Sequence, residues 1–192
     1  MKNIFLIVIT LFSSLFFSQQ IYPLTTNVSE VPNGSYIKDL DGEYNPYIGL
    51  WKGNWDGKII YLKFKIVKDS SLGNHFYYKD RLFGERKIVE SNGSISVDRI
   101  SNFDDNQYHE FSGINKKFSD PFQKQLYFSP NNMCGKTANM DITFLDTAKT
   151  QMSLHLIYNP STIDDSCPHY NSVMQGNDFP INFPKDIVLL KQ

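Results

Sequence analysis

Asp141 and His155 are a carboxylate and an imidazole that stand within two runs of alternating residues. Alternation of apolar and polar residues is typical of half-buried β-strands. The apolar residues of these runs are Met140, Ile142 and Phe144, followed by Met152, Leu154, Leu156 and Tyr158. If Phe144 pairs with Met152 across a loop at residues 146–150, Asp141 lies opposite His155 on the other face of the hairpin.

The pair of Asp141 and His155 has two interpretations. The carboxylate could orient the imidazole as a general base, with the hydroxyl of Ser153 or Thr143 as the nucleophile of a hydrolase. Alternatively, the two residues form an exposed cross-strand pair that contributes a fraction of a kcal/mol to stability. The sequence has no G-x-S-x-G motif, no glycine-rich phosphate loop and no histidines at metal-ligand spacing. We therefore predict a protein without enzymatic activity and without a cofactor, and a secreted hydrolase is the alternative.

Cys134 and Cys167 are the two cysteines of the chain. In an exported protein they predict a disulfide, which would stabilise the fold by about 3 to 4 kcal/mol in the chain-entropy model. A zinc site would instead combine both cysteines with His169 and with Asp164 or Asp165. The paired C-x₂₋₄-C spacing of structural zinc sites is missing, so no metal is predicted. Two unpaired structural thiols are the remaining alternative.

Residues 1–18 predict export. Lys2 is followed by a largely apolar run over residues 4–17, which is typical of a secretory signal peptide. The run is shorter than the roughly 20 apolar residues of a membrane-spanning helix, so no stable membrane insertion is predicted. We expect cleavage after Ser18 and a mature protein that is periplasmic, on the cell surface or secreted.

The mature chain of 174 residues is nearly neutral. Removal of residues 1–18 takes away only Lys2 and leaves 18 basic side chains against 20 acidic ones. Because nucleic acids and anionic membrane surfaces favour a clustered basic field, neither is predicted as a partner. A chain of this length is expected to form one domain with a substantial core.

Residues 46–67 predict a β-hairpin together with its register. Asp56 and Gly57 suit the two central positions of a type I′ turn, where both residues need positive φ. The turn fixes the pairs on one face as Trp55 with Lys58, Gly53 with Ile60, Trp51 with Leu62 and Gly49 with Phe64. This face is nearly all apolar, so we expect it to be buried.

A second hairpin is predicted around the turn Asn92-Gly93, which places Ile88 opposite Val97. Gly84 lies within the strand that precedes this turn. A glycine inside a strand indicates a bulge or bend, the device that curves sheets.

Short strands and turn signals continue along the chain, and the mature sequence has no capped helical run of ten residues. This pattern predicts an all-β fold, an antiparallel meander that forms a barrel of about eight to ten strands, with a β-sandwich as the alternative. We divide the chain into the signal peptide at 1–18, an extended N-terminal arm at 19–45 with at most one short strand, and a single β domain at 46–192.

The triplet Gly49-Leu50-Trp51, followed by a meander, resembles the G-x-W signature that opens lipocalin-type barrels. The resemblance implies that the tryptophan closes the base of the barrel and packs against a basic residue near the last strand. Lys185 or Lys191 could serve as that residue, although the arginine usual in that superfamily is absent.

The mature chain also resembles, over much of its length, a family of small exported β-rich proteins from Gram-negative bacteria that is known only as a domain of unknown function. The segments that carry this resemblance are Tyr36-Ile37-Lys38-Asp39, Asn45-Pro46-Tyr47-Ile48-Gly49, Trp51-Lys52-Gly53, Tyr78-Lys79-Asp80 and Leu189-Leu190-Lys191-Gln192. The resemblance implies export and a β-rich domain, and it carries no catalytic residues.

Aromatic residues are abundant, with 15 Phe, 11 Tyr and 2 Trp. They could line a cup for an apolar ligand or stack on sugars, or they could simply pack the core. The sequence hypothesis is thus an exported, non-enzymatic β-barrel binding module for a small apolar ligand or a cell-envelope component. A surface or envelope interaction protein is a further alternative.

Overall fold

The computed structural model describes most of the chain beyond the predicted signal peptide at 1–18, which lies outside the described residues. The described residues are 19–71, 73, 75–105, 108–117, 120–131, 133–159, 163–177, 179–180 and 182–192.

The described residues form eleven strands and few helical turns, which confirms the all-β prediction. The strands are β1 (Ile21–Pro23), β2 (Tyr36–Lys38), β3 (Gly49–Trp55), β4 (Lys58–Ser71), β5 (Tyr77–Val89), β6 (Ile95–Asp98), β7 (Phe111–Lys117), β8 (Asp120–Phe128), β9 (Ala138–Phe144), β10 (Gln151–Tyr158) and β11 (Asp186–Lys191). The helical elements are α1 (Tyr170–Met174) and two 3-10 turns (Val28–Glu30 and Phe103–Asp105).

The chain divides into two compact units. The first contains residues 19–43 of the described chain and Lys68–Asp80. In this unit β1 pairs in parallel with β2, and Tyr36 of β2 lies opposite Tyr78 of β5, also in parallel. The predicted arm therefore contains two short strands rather than at most one, while the predicted domain boundary at residue 46 stays a prediction.

The second unit, Tyr44–Val67 and Arg81–Gln192, contains a closed antiparallel barrel. Its eight strands follow the order β3, β4, β5, β7, β8, β9, β10 and β11. The last strand closes the circle, since Leu190 of β11 lies opposite Lys52 of β3. Strand β6 pairs with β5 outside this circle. The barrel prediction is thus confirmed over the sandwich alternative.

Both predicted hairpin registers are confirmed. Asp56 has a φ of 46° and Gly57 a φ of 78°, as a type I′ turn requires. The β3–β4 pairs are Trp55–Lys58, Asn54–Ile59, Gly53–Ile60, Lys52–Tyr61, Trp51–Leu62, Leu50–Lys63 and Gly49–Phe64. In the second hairpin Ile88 lies opposite Val97.

Apolar side chains from the alternating positions of the barrel strands are buried. The largest cluster, with every member at most 5% exposed, consists of Trp51, Ile60, Leu62, Phe64, Leu82, Phe111, Leu126, Phe128, Met140, Ile142, Met152, Leu154, Leu156, Ile187 and Leu189. The four residues that the first hairpin predicted as inward, Trp51, Ile60, Leu62 and Phe64, all belong to it.

Gly84 lies against the ring of Phe64, while the predicted bulge or bend at this position stays a prediction. A Cβ atom at this position would lie 2.4 Å from two ring carbons of Phe64, so glycine allows that ring to pack directly against the β5 backbone. The irregularity in the pairing of β5 with β6 lies further along, between Ile88 and Val89.

One end of the barrel is closed around Trp51. Its indole Nε1 donates a 2.7 Å hydrogen bond to the Tyr47 carbonyl, and its side chain is fully buried. Lys191 Nζ lies 5.3 Å from the Trp51 ring centroid and donates to the Pro46 carbonyl at 3.1 Å. Lys191, and not Lys185, therefore takes the place that the lipocalin-type resemblance implied for a basic residue near the last strand.

Candidate functional site

Asp141 and His155 lie opposite each other in the β9–β10 register, as predicted, but their side chains contact different partners. His155 Nδ1 lies 2.5 Å from Asp186 Oδ1 on β11. Asp141 Oδ1 accepts a hydrogen bond from Gln125 on β8. The His155 and Asp186 side chains are 43% and 68% exposed, so the ion pair is solvated and weak. This geometry gives the hypothesis of an Asp141–His155 hydrolase centre no support.

Cys134 and Cys167 are joined in a disulfide that links the β8–β9 loop to the segment between β10 and β11. Their Cα atoms lie 5.5 Å apart. Both sulfur atoms are occupied in this bond, and the backbone N–H of His169 donates to Cys167 Sγ. Within the described ranges no group of three or more His, Cys, Asp or Glu residues is arranged to hold a metal ion.

Three phenylalanine rings pack together inside the barrel. Phe183, fully buried, comes from the segment before β11 and lies 5.8 Å and 5.3 Å from the ring centroids of Phe111 and Phe128. Phe111 and Phe128 stack on each other at 4.8 Å. These rings occupy the space in which the sequence hypothesis placed a cup for an apolar ligand.

A buried ion pair lies beside these rings. Arg86 is fully buried and makes a bidentate contact with Glu110, from Nε to Oε2 at 2.8 Å and from Nη2 to Oε1 at 3.2 Å. Arg86 Nη1 also donates to the carbonyl and side-chain oxygens of Asn182. Burial raises the pKa of the Glu110 carboxyl, while the charges of Arg86 and Arg99 act in the opposite direction.

Glu85 and Arg86 point to opposite sides of β5 because side chains alternate along a strand. Glu85 is nevertheless fully buried, since Arg99 and His109 cover it from outside the barrel. Arg99 donates to both oxygens of Glu85, at 2.7 Å and 3.2 Å, and His109 Nδ1 lies 3.0 Å from Glu85 Oε1. Arg99 also donates to the Tyr108 carbonyl at 2.6 Å, which fixes the chain beside His109.

His109 is held between two phenylalanine rings. The centroids of Phe83 and Phe103 lie 4.7 Å and 4.9 Å from the imidazole centroid, at interplanar angles of 30° and 34°. The side chain of His109 is 14% exposed. Packing against the two rings and the hydrogen-bond contact with Glu85 restrict the orientation of the imidazole.

The exposed part of His109 lines a cleft of about 530 Å³ on the outer wall of the barrel. We name it the aromatic cleft, and its residues are Phe83, Tyr108, His109, Ser112, Tyr127, Ser129 and Asn131. Tyr108 is 67% exposed and Tyr127 is 38% exposed. Ser112 and Tyr127 face each other across the β7–β8 register, which positions one side of the cleft.

The aromatic cleft offers two kinds of contact. The tyrosine rings give flat, partly apolar surfaces, and hydroxyl, amide and imidazole groups give hydrogen bonds at their edges. A ligand with apolar ring faces and polar edges, such as a saccharide, fits this combination. No sequence pattern predicts this site, because Glu85, His109 and Tyr127 are far apart in the chain and belong to no motif.

Comparison with protein-family models matches residues 1–192 to a family of unknown function, DUF6705. No curated protein and no solved structure matches the chain. None of the helices in the described part of the chain has the length and apolar character needed to cross a membrane.

Proposed function

The chain belongs to DUF6705, a family of unknown function, and we propose that it is an exported β-barrel binding module without enzymatic activity. Its ligand is a saccharide component of the cell envelope, and the aromatic cleft is the binding site. The exposure of two tyrosines beside hydroxyl and amide groups is the observation that carries this proposal.

Tyr108 and Tyr127 expose far more aromatic surface than the rings inside the barrel, which are at most a few per cent exposed. Exposed aromatic rings grouped around a concave surface are typical of ligand sites, because each ring contributes a large contact area with little loss of conformational entropy. Ser112, Ser129 and Asn131 line the same cleft and supply donors and acceptors that could fix a polar ligand.

The barrel interior favours an envelope component over a small apolar ligand. Phe183 is buried against Phe111 and Phe128, so a ligand bound among these rings would have to displace a buried side chain. A ligand on the outer wall needs no displacement of buried side chains.

Two observations support export. The predicted signal peptide at residues 1–18 would direct the chain out of the cytoplasm. The Cys134–Cys167 pair at disulfide distance suits an oxidising compartment. A periplasmic, cell-surface or secreted location agrees with both.

The proposal is tested by isothermal titration calorimetry of the purified protein with three oligosaccharides. Chitotetraose and maltotetraose are neutral, and tetragalacturonate is acidic. We expect saturable binding of a neutral oligosaccharide and a loss of about fivefold in affinity in Tyr108→Ala and in Tyr127→Ala, since each ring contact is worth about 1 kcal/mol.

Tyr61→Ala is the matched control, because Tyr61 lies on β4 opposite Lys52 and outside the cleft. It should bind like the wild type. Equal binding by wild type, Tyr108→Ala and Tyr127→Ala, or no binding of any of the three oligosaccharides, would contradict the proposal.

A further inference from the structure

We infer that His109 is the specificity-determining residue of the aromatic cleft and that its Nε2 atom accepts a hydrogen bond from a hydroxyl or amide N–H group of a neutral saccharide. This inference rests on the proposed function and adds to it the ligand group that is recognised and a dependence of binding on pH.

The first step is the position of the imidazole proton. Glu85 Oε1 lies 3.0 Å from His109 Nδ1, and the Glu85 carboxylate also accepts from Arg99. An ionised carboxylate can only accept hydrogen bonds, so the Nδ1 atom of His109 carries a proton. In the neutral imidazole the other nitrogen, Nε2, is then an acceptor.

The second step is the direction of that acceptor. The two nitrogens of an imidazole point to different sides of the ring, so Nε2 is directed away from the buried Glu85. Phe83 and Phe103 pack against the imidazole and restrict its rotation. A ligand that reaches His109 therefore meets Nε2 as a hydrogen-bond acceptor whose direction is already set.

The third step is the charge around His109. The charged groups are Glu85 from β5, Arg99 from the loop after β6, Asp104 from the 3-10 turn, Lys65 and Lys63 from β4, and Glu110, the next residue in the chain. Glu85 is paired with Arg99, Glu110 with Arg86, and Asp104 with Lys65 at 2.7 Å. A second proton on His109 would add a positive charge to a cluster whose carboxylates already have cationic partners.

Protonation of His109 would also convert Nε2 from an acceptor into a donor. A ligand hydroxyl or amide that donates to Nε2 would then lose its partner, and the loss of one such hydrogen bond weakens binding by about tenfold. Binding of a neutral saccharide should therefore weaken when the pH falls far enough to protonate His109.

The test is calorimetric titration with chitotetraose, maltotetraose and tetragalacturonate at pH 8 and pH 5. We expect the affinity of the wild type for a neutral oligosaccharide to fall about tenfold from pH 8 to pH 5. Tetragalacturonate should gain affinity over the same change, because the protonated imidazole attracts its carboxylates. Comparable affinity for the neutral probe at both pH values would overturn the inference.

His109→Phe keeps a ring between Phe83 and Phe103 but has no nitrogen, so it should bind the neutral probe about tenfold more weakly at pH 8 and show no dependence on pH. His109→Gln retains an acceptor oxygen and should recover part of the affinity. His155→Phe changes an exposed histidine outside the cleft and should retain the wild-type profile.

The outcomes separate the two proposals. Absence of binding for every oligosaccharide at both pH values overturns the proposed function. Binding that weakens in Tyr108→Ala but is unchanged by pH and by His109→Phe overturns only the role of His109.

Discussion

Arg86 and Glu110 place two opposite charges among the buried side chains of the barrel. Removal of both ions from water is unfavourable, and their attraction offsets this cost only when the geometry is good and the remaining donors are bonded. Both conditions are met, because the guanidinium contacts Glu110 through two nitrogens and Asn182 through a third. The buried ion pair is therefore stable only while Arg86, Glu110 and Asn182 all make these contacts.

We expect that Arg86→Met and Glu110→Leu each lower the free energy of unfolding by about 3 to 5 kcal/mol, because each removes the bidentate partner of a buried charge. The double variant should be more stable than either single variant. Urea denaturation measures all three values. If the free energy of unfolding of each single variant lies within 1 kcal/mol of the wild-type value, the prediction is contradicted and the ion pair is hydrated.

Tyr36 belongs to the first unit, where its hydroxyl donates to Asp80 Oδ1 at 2.5 Å. Burial, followed by this hydrogen bond and the charge of Asp80, raises the pKa of Tyr36 from 10.0 to about 12. The folded protein therefore keeps the phenolic proton over a pH range in which the unfolded chain releases it. This contribution to stability is complete below pH 10 and is lost as the pH rises through about 12.

We expect that the free energy of unfolding of the wild type falls between pH 10 and pH 11.5 and that this fall is smaller in Tyr36→Phe. Urea denaturation at several pH values measures the difference between the two profiles. Tyr61→Phe is the control and should follow the wild type. Parallel profiles for wild type and Tyr36→Phe would refute the assignment.

At the residue scale, the sequence predicted local register better than side-chain partners. Asp141 does lie opposite His155, because alternation and a short loop determine that pairing. The partner of His155 is Asp186, which comes from a strand 31 residues further along the chain. The contact of Glu85 with His109 spans 24 residues and depends on the β5–β7 pairing, which no turn motif indicates.

At the element scale, the contact of Phe64 on β4 with Gly84 on β5 depends on the absence of a side chain at residue 84. Gly84→Ala would place a Cβ atom 2.4 Å from the Phe64 ring and 3.1 Å from Phe111 Cβ. Because the backbone and both rings are buried, the clash cannot be relieved by movement into solvent.

We expect Gly84→Ala to lower the free energy of unfolding by about 1 to 3 kcal/mol, the usual cost of overpacking a core. A second change, Phe64→Leu, should restore part of that stability by making room for the methyl group. Gly73→Ala is the control, because a Cβ there meets nothing within 4 Å. A Gly84→Ala variant as stable as this control would contradict the close packing.

The Cys134–Cys167 disulfide connects two loops that are separated by 33 residues in the chain. A closed loop of this length restricts the unfolded state and stabilises the fold by about 3 to 4 kcal/mol in the chain-entropy model. We expect the variant Cys134→Ser/Cys167→Ser to lose about that amount in urea denaturation, and the reduced wild type to lose a similar amount.

Mass spectrometry after alkylation of the unfolded, unreduced protein checks the bond itself. No alkylated cysteine is expected. Alkylation of both Cys134 and Cys167 would show that they are free thiols.

The elements that the sequence predicted are those with local signals. Asp56-Gly57 and Asn92-Gly93 determine two hairpins, and alternation determines the buried face of β9 and β10. Barrel closure through β3 with β11 is a long-range pairing, so it was predicted only by resemblance and by strand number. The short strand β1 was missed because its three residues include Pro23 and show no alternation.

For the whole molecule, the buried side chains described inside the closed barrel move the expected function from the inside to the outside. Trp51 packs with Lys191, and Phe183, Arg86 and Glu110 are also buried. The same β5 strand that contributes Arg86 to the interior contributes Glu85 to the outer wall, where it orients His109. The fold class was predictable from strand patterning, whereas the aromatic cleft depends on segments that only the closed barrel brings together.

The position of a bound ligand tests the central claim most directly. Chitotetraose and maltotetraose are each titrated into the protein at pH 8, and nuclear magnetic resonance follows the amide signals of Tyr108 and Tyr127 together with the methyl signals of Met140 and Met152, which are fully buried in the barrel. We predict saturable shifts of the two tyrosines while the two methionine methyls stay unchanged. Shifts of the methionine methyls without shifts of the tyrosines, or no shift at any of these residues, would contradict a binding site on the outer wall.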